Sequence, residues 1–119
     1  MTTQTILDTT VYGVPSGNYD GSSDMDWSSD PVTAANYYRG RGGIQTVTFS
    51  VTAFVGTMYL EACLDQDPAQ ANWFVTYTYG SNTPLTNIHP ETVTGNFTWM
   101  RVRVDNFTAG TINSVTITY

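Results

Sequence analysis

Four aspartates, Asp20, Asp24, Asp26 and Asp30, recur in the stretch GVPSGNYDGSSDMDWSSDP, residues 13–31. Carboxylates at such short spacing, interleaved with Ser and Asn, can converge on a calcium ion, which takes about six to eight oxygen ligands. The run lacks the ordered ligand pattern and terminal bidentate Glu of a calcium loop. A solvated acidic loop, with aspartates closing local turns, therefore stands beside bound Ca2+ as a reading. Asp65 and Asp67 in LDQDPA form a second pair, the residue type that serves glycoside hydrolysis as acid and base. Their turn beside Pro68 offers neither the desolvation nor the crowding of charge that acid catalysis needs. The single histidine, His89, precedes Pro90 in an expected turn, and neither a nucleophile elbow nor a cysteine partner accompanies it. Zinc lacks ligands for the same reason. These residues do not predict an enzyme.

The basic residues have a different logic. There are four arginines and no lysine, and they come as two pairs at the same spacing, Arg39 with Arg41 and Arg101 with Arg103. Side chains two apart on a strand share a face. Arg101 and Arg103 therefore lie on the face that also carries Phe97 and Trp99. Glu61 could pair with one of them from a neighbouring strand. Two readings stand: a sheet face neutralised internally, or a face that docks on a neighbouring subunit, where arginines and aromatics are enriched. Arg39, Arg41, Trp99, Arg101 and Arg103 are the interface candidates. Among the remaining aromatics, Trp73 and Trp99 are expected to pack within or between sheets. Tyr19, Trp27, Tyr37 and Tyr38 are the candidates for stacking on a glycan.

The elements that position these residues are strands. In IQTVTFSVT, Val47, Phe49 and Val51 alternate with Thr46, Thr48 and Ser50, the period of a half-buried strand over 44–53. GTMYLEACL sets Met58, Leu60, Ala62 and Leu64 against Tyr59, Glu61 and Cys63, and the AFVGT between reads as a tight hairpin. NWFVTYTYG, the short TVTG, FTWMRVRV and GTINSVTITY are further strands, with a turn at NFTAG. QTILDTTVYG and ANYYRG complete the set. About eight short strands and no amphipathic helix predict an all-β fold, an antiparallel sandwich of jelly-roll type, as one domain with a long acidic loop over 13–31.

Bulk composition agrees. Only 12% of the 119 residues are charged and the net charge is -6. Surface polarity must come from Thr, Ser, Asn and Gln, and the acidic balance disfavours nucleic acid as a partner. One cysteine, Cys63, allows no internal disulfide. The start MTTQTILDTT has neither the basic nor the apolar segment of a secretory signal, and no apolar run has the roughly 18 residues of a membrane span. The chain is expected to be made in the cytoplasm, with no membrane partner. The sequons at Asn96 and Asn106 are chance occurrences in a Thr-rich chain.

Two segments, GGIQTVTFSVTAFVGTMYLEACLDQDPAQANWFVTYT and GNFTWMRVRVDNFTAGTINSVTITY, resemble a module of tailed-bacteriophage structural proteins, above all those of cyanophages. The second segment is the more specific. The resemblance covers about the last 80 residues, and the acidic loop from Tyr19 to Asp30 lies outside it. It implies a galactose-binding-like jelly roll acting as a virion part: a capsid decoration protein, a neck or baseplate component, or a fibre element. It implies no catalytic residues. The resulting expectation is a virion protein that contacts other virion proteins and its own copies, with a trimer as the expected oligomer. The alternative is a carbohydrate-binding module recognising host glycans.

Overall fold

The computed structural model describes residues 2–23, 26–37 and 43–119. Among these residues, seven strands form one antiparallel sheet. The short ones are β1 (Thr3–Leu7), β2 (Thr10–Val11), β3 (Trp27–Ser28) and β4 (Val32–Thr33). The long ones are β5 (Ile44–Cys63), β6 (Phe74–Thr94) and β7 (Trp99–Thr118), of 20, 21 and 20 residues. A straight strand of 20 residues would run about 66 Å. The longest dimension of the molecule is 39 Å. The long strands must therefore fold over, and they do so together.

The register describes how. Residues 44–51 of β5 pair with 87–94 of β6 and with 112–118 of β7, whose other side takes β1 and β2. Past the bend, residues 56–63 of β5 pair with 74–81 of β6 and with 99–105 of β7, whose other side takes β3 and β4. Each half thus has the same strand order, and the two halves face each other. Phe49 of the first layer stacks on Tyr79 of the second at 4.9 Å between centroids. This is the expected antiparallel sandwich, made as a jelly roll is made, by wrapping a long ribbon over itself. Counted by layer, each half holds five strand segments, two short ones and one half of each long strand.

The expected hairpin at AFVGT is instead the bend in β5. The buried positions run 47, 49, 51 and then 54, 58, 60, so alternation slips by one residue at the corner. The register shifts there against both neighbours, as a β-bulge requires. Ala53 takes a left-handed φ of 51°, and its N–H donates to Thr86 Oγ1 at 3.0 Å. NFTAG likewise is the bend in β7, not a turn between strands. Asn106 has φ 53°, and Gly110, at φ 88°, lies against the backbone of Ala53 where a Cβ would collide. An aromatic cluster fills the folded end: Phe107 lies 5.6 Å from Phe54 and 5.4 Å from Tyr19, and Tyr19 lies 5.3 Å from Trp27.

Three further expectations need correction. The stretch 13–31 is not loop throughout, because Trp27–Ser28 pairs with Val104 and Arg103 as β3. ANYYRG is not a strand in its described part, since Ala35 to Tyr37 form a turn closed by Tyr37 N–H to Ala34 O at 3.1 Å. His89 sits in β6, opposite Phe49, not in a turn. Pro84 and Pro90 fit within β6 because that strand lies at the edge, where a missing N–H breaks no ladder.

The outer face of the first layer is a threonine field. One rank crosses four strands as Thr3, Thr118, Thr46 and Thr92, with hydroxyl pairs at 3.1 Å for Thr3 with Thr118 and 3.0 Å for Thr46 with Thr92. Such cross-strand pairs stabilise a sheet and give it a polar surface without charge.

A candidate binding face on the outer side of the second layer

Met58, Leu60, Met100, Val102 and Val104 are buried in the core. The intervening residues therefore point outward. The antiparallel register sets Glu61 opposite Arg101 and Tyr59 opposite Arg103. A compact two-by-two block results.

Glu61 is 6% exposed and both its oxygens are engaged. Oε1 accepts from Arg101 Nε at 2.8 Å and Oε2 from Arg103 Nε at 3.2 Å. Arg103 Nη1 also donates to Asp26 Oδ2 at 3.1 Å. Aromatic rings cover the guanidiniums: Arg101 Cζ lies 4.4 Å from the Trp73 ring centroid and Arg103 Cζ 4.2 Å from that of Tyr59. Both contacts lie within the range of cation–π attraction. Burial opposes the charge on Arg103, but its bonds to the Glu61 and Asp26 carboxylates and their negative charge outweigh it and hold its pKa above the ordinary value. The expected single Glu61–Arg pair is thus a double one. With Asp26 included, two guanidiniums meet two carboxylates, and the face is neutral.

Trp99 extends the face. Its indole N–H donates to Gln66 O at 3.0 Å, and its ring meets Tyr37 edge-on at 5.1 Å. Val75, opposite Glu61 on β6, is 46% exposed beside this block. Trp73 and Tyr59 were not among the expected site residues. The sequence signal for Tyr59 is its two-residue offset from Glu61, which matches the Arg101–Arg103 offset, but it becomes visible only once the register is known.

Other candidates separate from one another. Tyr19 and Trp27, expected to reach outward toward a glycan, are 1% and 4% exposed. They belong to the core because the acidic stretch folds back and its two large aromatics seal the bent end against Phe107. Tyr37 is exposed, while Tyr38, Arg39, Arg41 and Asp24 lie outside the described residues.

The described aspartates of the acidic stretch each have a partner. Asp20 Oδ1 accepts from Ser22 Oγ at 2.6 Å and Ser22 N–H at 2.8 Å, which lowers its pKa. Asp26 faces Arg103, and Asp30 Oδ1 accepts from Asn18 Nδ2 at 3.1 Å. Among the described residues no three His, Cys, Asp or Glu side chains gather around a common point where a metal ion could sit.

Asp65 and Asp67 close the turn they were read in. Asp65 Oδ2 accepts from Asn72 N–H at 3.0 Å, and Asp67 Oδ1 caps the 3-10 turn Pro68–Gln70 through Ala69 N–H at 2.9 Å. His89 stacks on Tyr77 and Tyr79, with Nε2 at 3.0 Å from Tyr77 Oη and 3.3 Å from Glu91 Oε1.

No protein family, no curated protein and no solved structure matches this chain.

Proposed function

We propose that this protein is a structural component of a tailed-bacteriophage virion and works through subunit contacts made by the outer face of the second layer. The observation that carries the reading is the neutral block of Glu61, Arg101, Arg103 and Asp26 flanked by Tyr59, Trp73 and Trp99. Arginine and large aromatics are the residues enriched at protein interfaces. On a chain of net charge -6, mutual repulsion opposes association over most of the surface. At this face the charges cancel, and a second subunit meets forked donors and rings instead of a negative field. The resemblance of residues 95–119 to phage structural proteins supports the biological setting.

Two measurements test this. Sedimentation velocity of the purified chain reads self-association, and Val75→Gln, which adds no charge opposite Glu61, is expected to shift the oligomer toward monomer with the strand signal in circular dichroism unchanged. Mass spectrometry of density-banded particles from the encoding phage is expected to find the chain at the copy number of a shell, neck or tail component. A monomeric chain missing from purified particles overturns the reading.

A further inference from the structure

Among the described residues β5 is the only neighbour of β6, so this strand of 21 residues leaves one side of its backbone unpaired. Natural sheets guard such an edge with charge, proline or a bulge. The first-layer half of β6 is guarded in this way, by Pro90 between His89 and Glu91. The second-layer half is not. From 74 to 88 there is no charged residue, on a chain that carries ten carboxylates. The bulge at Thr76, where the register against β5 shifts, and Pro84 bound the open segment to 77–83.

The neighbouring strands fix which backbone groups are free. Ser29 N–H donates to Val102 O at 2.8 Å and Val102 N–H to Ser29 Oγ at 3.0 Å, so the Val102 backbone points away from β5. Backbone groups of successive residues in an antiparallel ladder point to alternate sides. Val104 therefore also points away, and Met58 opposite it turns to β6 and exchanges bonds with Tyr79. Thr78 and Gly80, on either side of Tyr79, aim N–H and C=O at the free edge. A depression of about 450 Å3, lined by Thr57, Thr78, Gly80, Ser81 and Asn82, opens beside them. The residues bordering 24–25 and 38–42 lie elsewhere: Asp26 bonds Arg103 across β7 and β5 from this edge, and Gly43 O accepts from Gly95 N–H past the other end of β6.

The segment fits itself. Two copies of a chain of net charge -6 repel one another over most approaches, but an uncharged edge brings no like charges together. About a two-fold axis at Tyr79, Thr78 of one copy lies opposite Gly80 of the other, and each such pair exchanges both its backbone bonds. Every free N–H and C=O of these two residues then has a partner. We propose that 77–83 of β6 pairs antiparallel with the same segment of a second copy, joining the second layers of two copies into one continuous sheet. This contact uses the strand edge, not the outer face, and stands or falls separately from the assembly reading.

Backbone amide hydrogen exchange, read by NMR on the 15N-labelled chain across a dilution series, tests the pairing. At about 100 times the dissociation constant found by sedimentation, where under about a tenth of the chains remain single, exchange at Thr78 and Gly80 should slow about tenfold. The amide of Tyr79, already bonded to β5, and that of Ile88, on the guarded half, should not change with concentration. Thr78→Pro removes an edge N–H without breaking the β5 ladder and is expected to abolish the dimer. Ile88→Pro, two residues from Pro90, is the matched control and should dimerise as the wild type does, with circular dichroism confirming the fold of both. A chain that stays monomeric at about 1 mM overturns the proposal. Association that leaves Thr78 and Gly80 exchange unslowed overturns it equally, whether or not Thr78→Pro folds, and assigns the contact to the outer face.

Discussion

Replacing Glu61 by Gln tests whether the block on the second layer is a structural clamp. The change keeps shape and removes charge. Glu61 receives one charge-assisted hydrogen bond from each arginine, at 2.8 Å and 3.2 Å. Bonds of this type contribute about 1.5–3 kcal/mol each. A glutamine still accepts from one guanidinium through its carbonyl oxygen, but turns an NH2 toward the other, donor against donor. The arginine side chains are 25% and 28% exposed and can recover some hydration, whereas the carboxylate is 8% exposed. The loss therefore belongs at the lower end of the roughly 3–5 kcal/mol seen when one partner of a buried pair is removed, about 3 kcal/mol. With an unfolding entropy of about 0.25 kcal/mol/K for 119 residues, the melting temperature should fall by about 12 °C. Calorimetry reads this directly. Repeating it at about 1 M salt should leave most of the difference, because a screened surface pair would lose it and a buried one would not. A drop below about 3 °C would put Glu61 in the regime of exposed ion pairs and refute the clamp.

Asp26→Asn removes the outer carboxylate of the same block, but Asp26 is half exposed, so stability should change by less than about 1 kcal/mol, with a urea midpoint close to wild type. Gly110→Ala adds a Cβ against the Ala53 backbone at a left-handed φ, and a loss of at least about 3 kcal/mol, or failure to fold, is expected by circular dichroism. Burial raises the Tyr77 pKa above its ordinary value of 10.0, with Glu91 and Tyr79 adding to it. The folded state then holds this proton more tightly than the unfolded one. The stabilisation is complete below pH 10 and is lost as pH rises through the folded value. Melting temperatures between pH 9 and 12 should fall more steeply in the wild type than in Tyr77→Phe.

Alternation alone made the strand content and the all-β class legible, because a period of two in Val47, Phe49 and Val51, and again in Met100, Val102 and Val104, has one physical meaning. It also put Arg101, Arg103 and Trp99 on a shared outward face. Alternation fails at a corner. A hairpin and a bulged bend both break the rhythm with a small or glycine-containing segment, and AFVGT and NFTAG are consistent with either. What separates them is which distant strand the flanking residues pair with.

That pairing is a property of the whole chain, and so are the features that follow from it. Glu61 meets two arginines instead of one because the antiparallel register of β5 and β7 sets it opposite Arg101 and diagonal to Arg103, within reach of both guanidiniums. Tyr19 and Trp27 sit inside the molecule, despite their polar surroundings in sequence, because the bent sheet leaves an open end that large rings fill. Local residue types determined the strands and their faces. Only the folding of one sheet upon itself decided which faces became interior and which charges found partners.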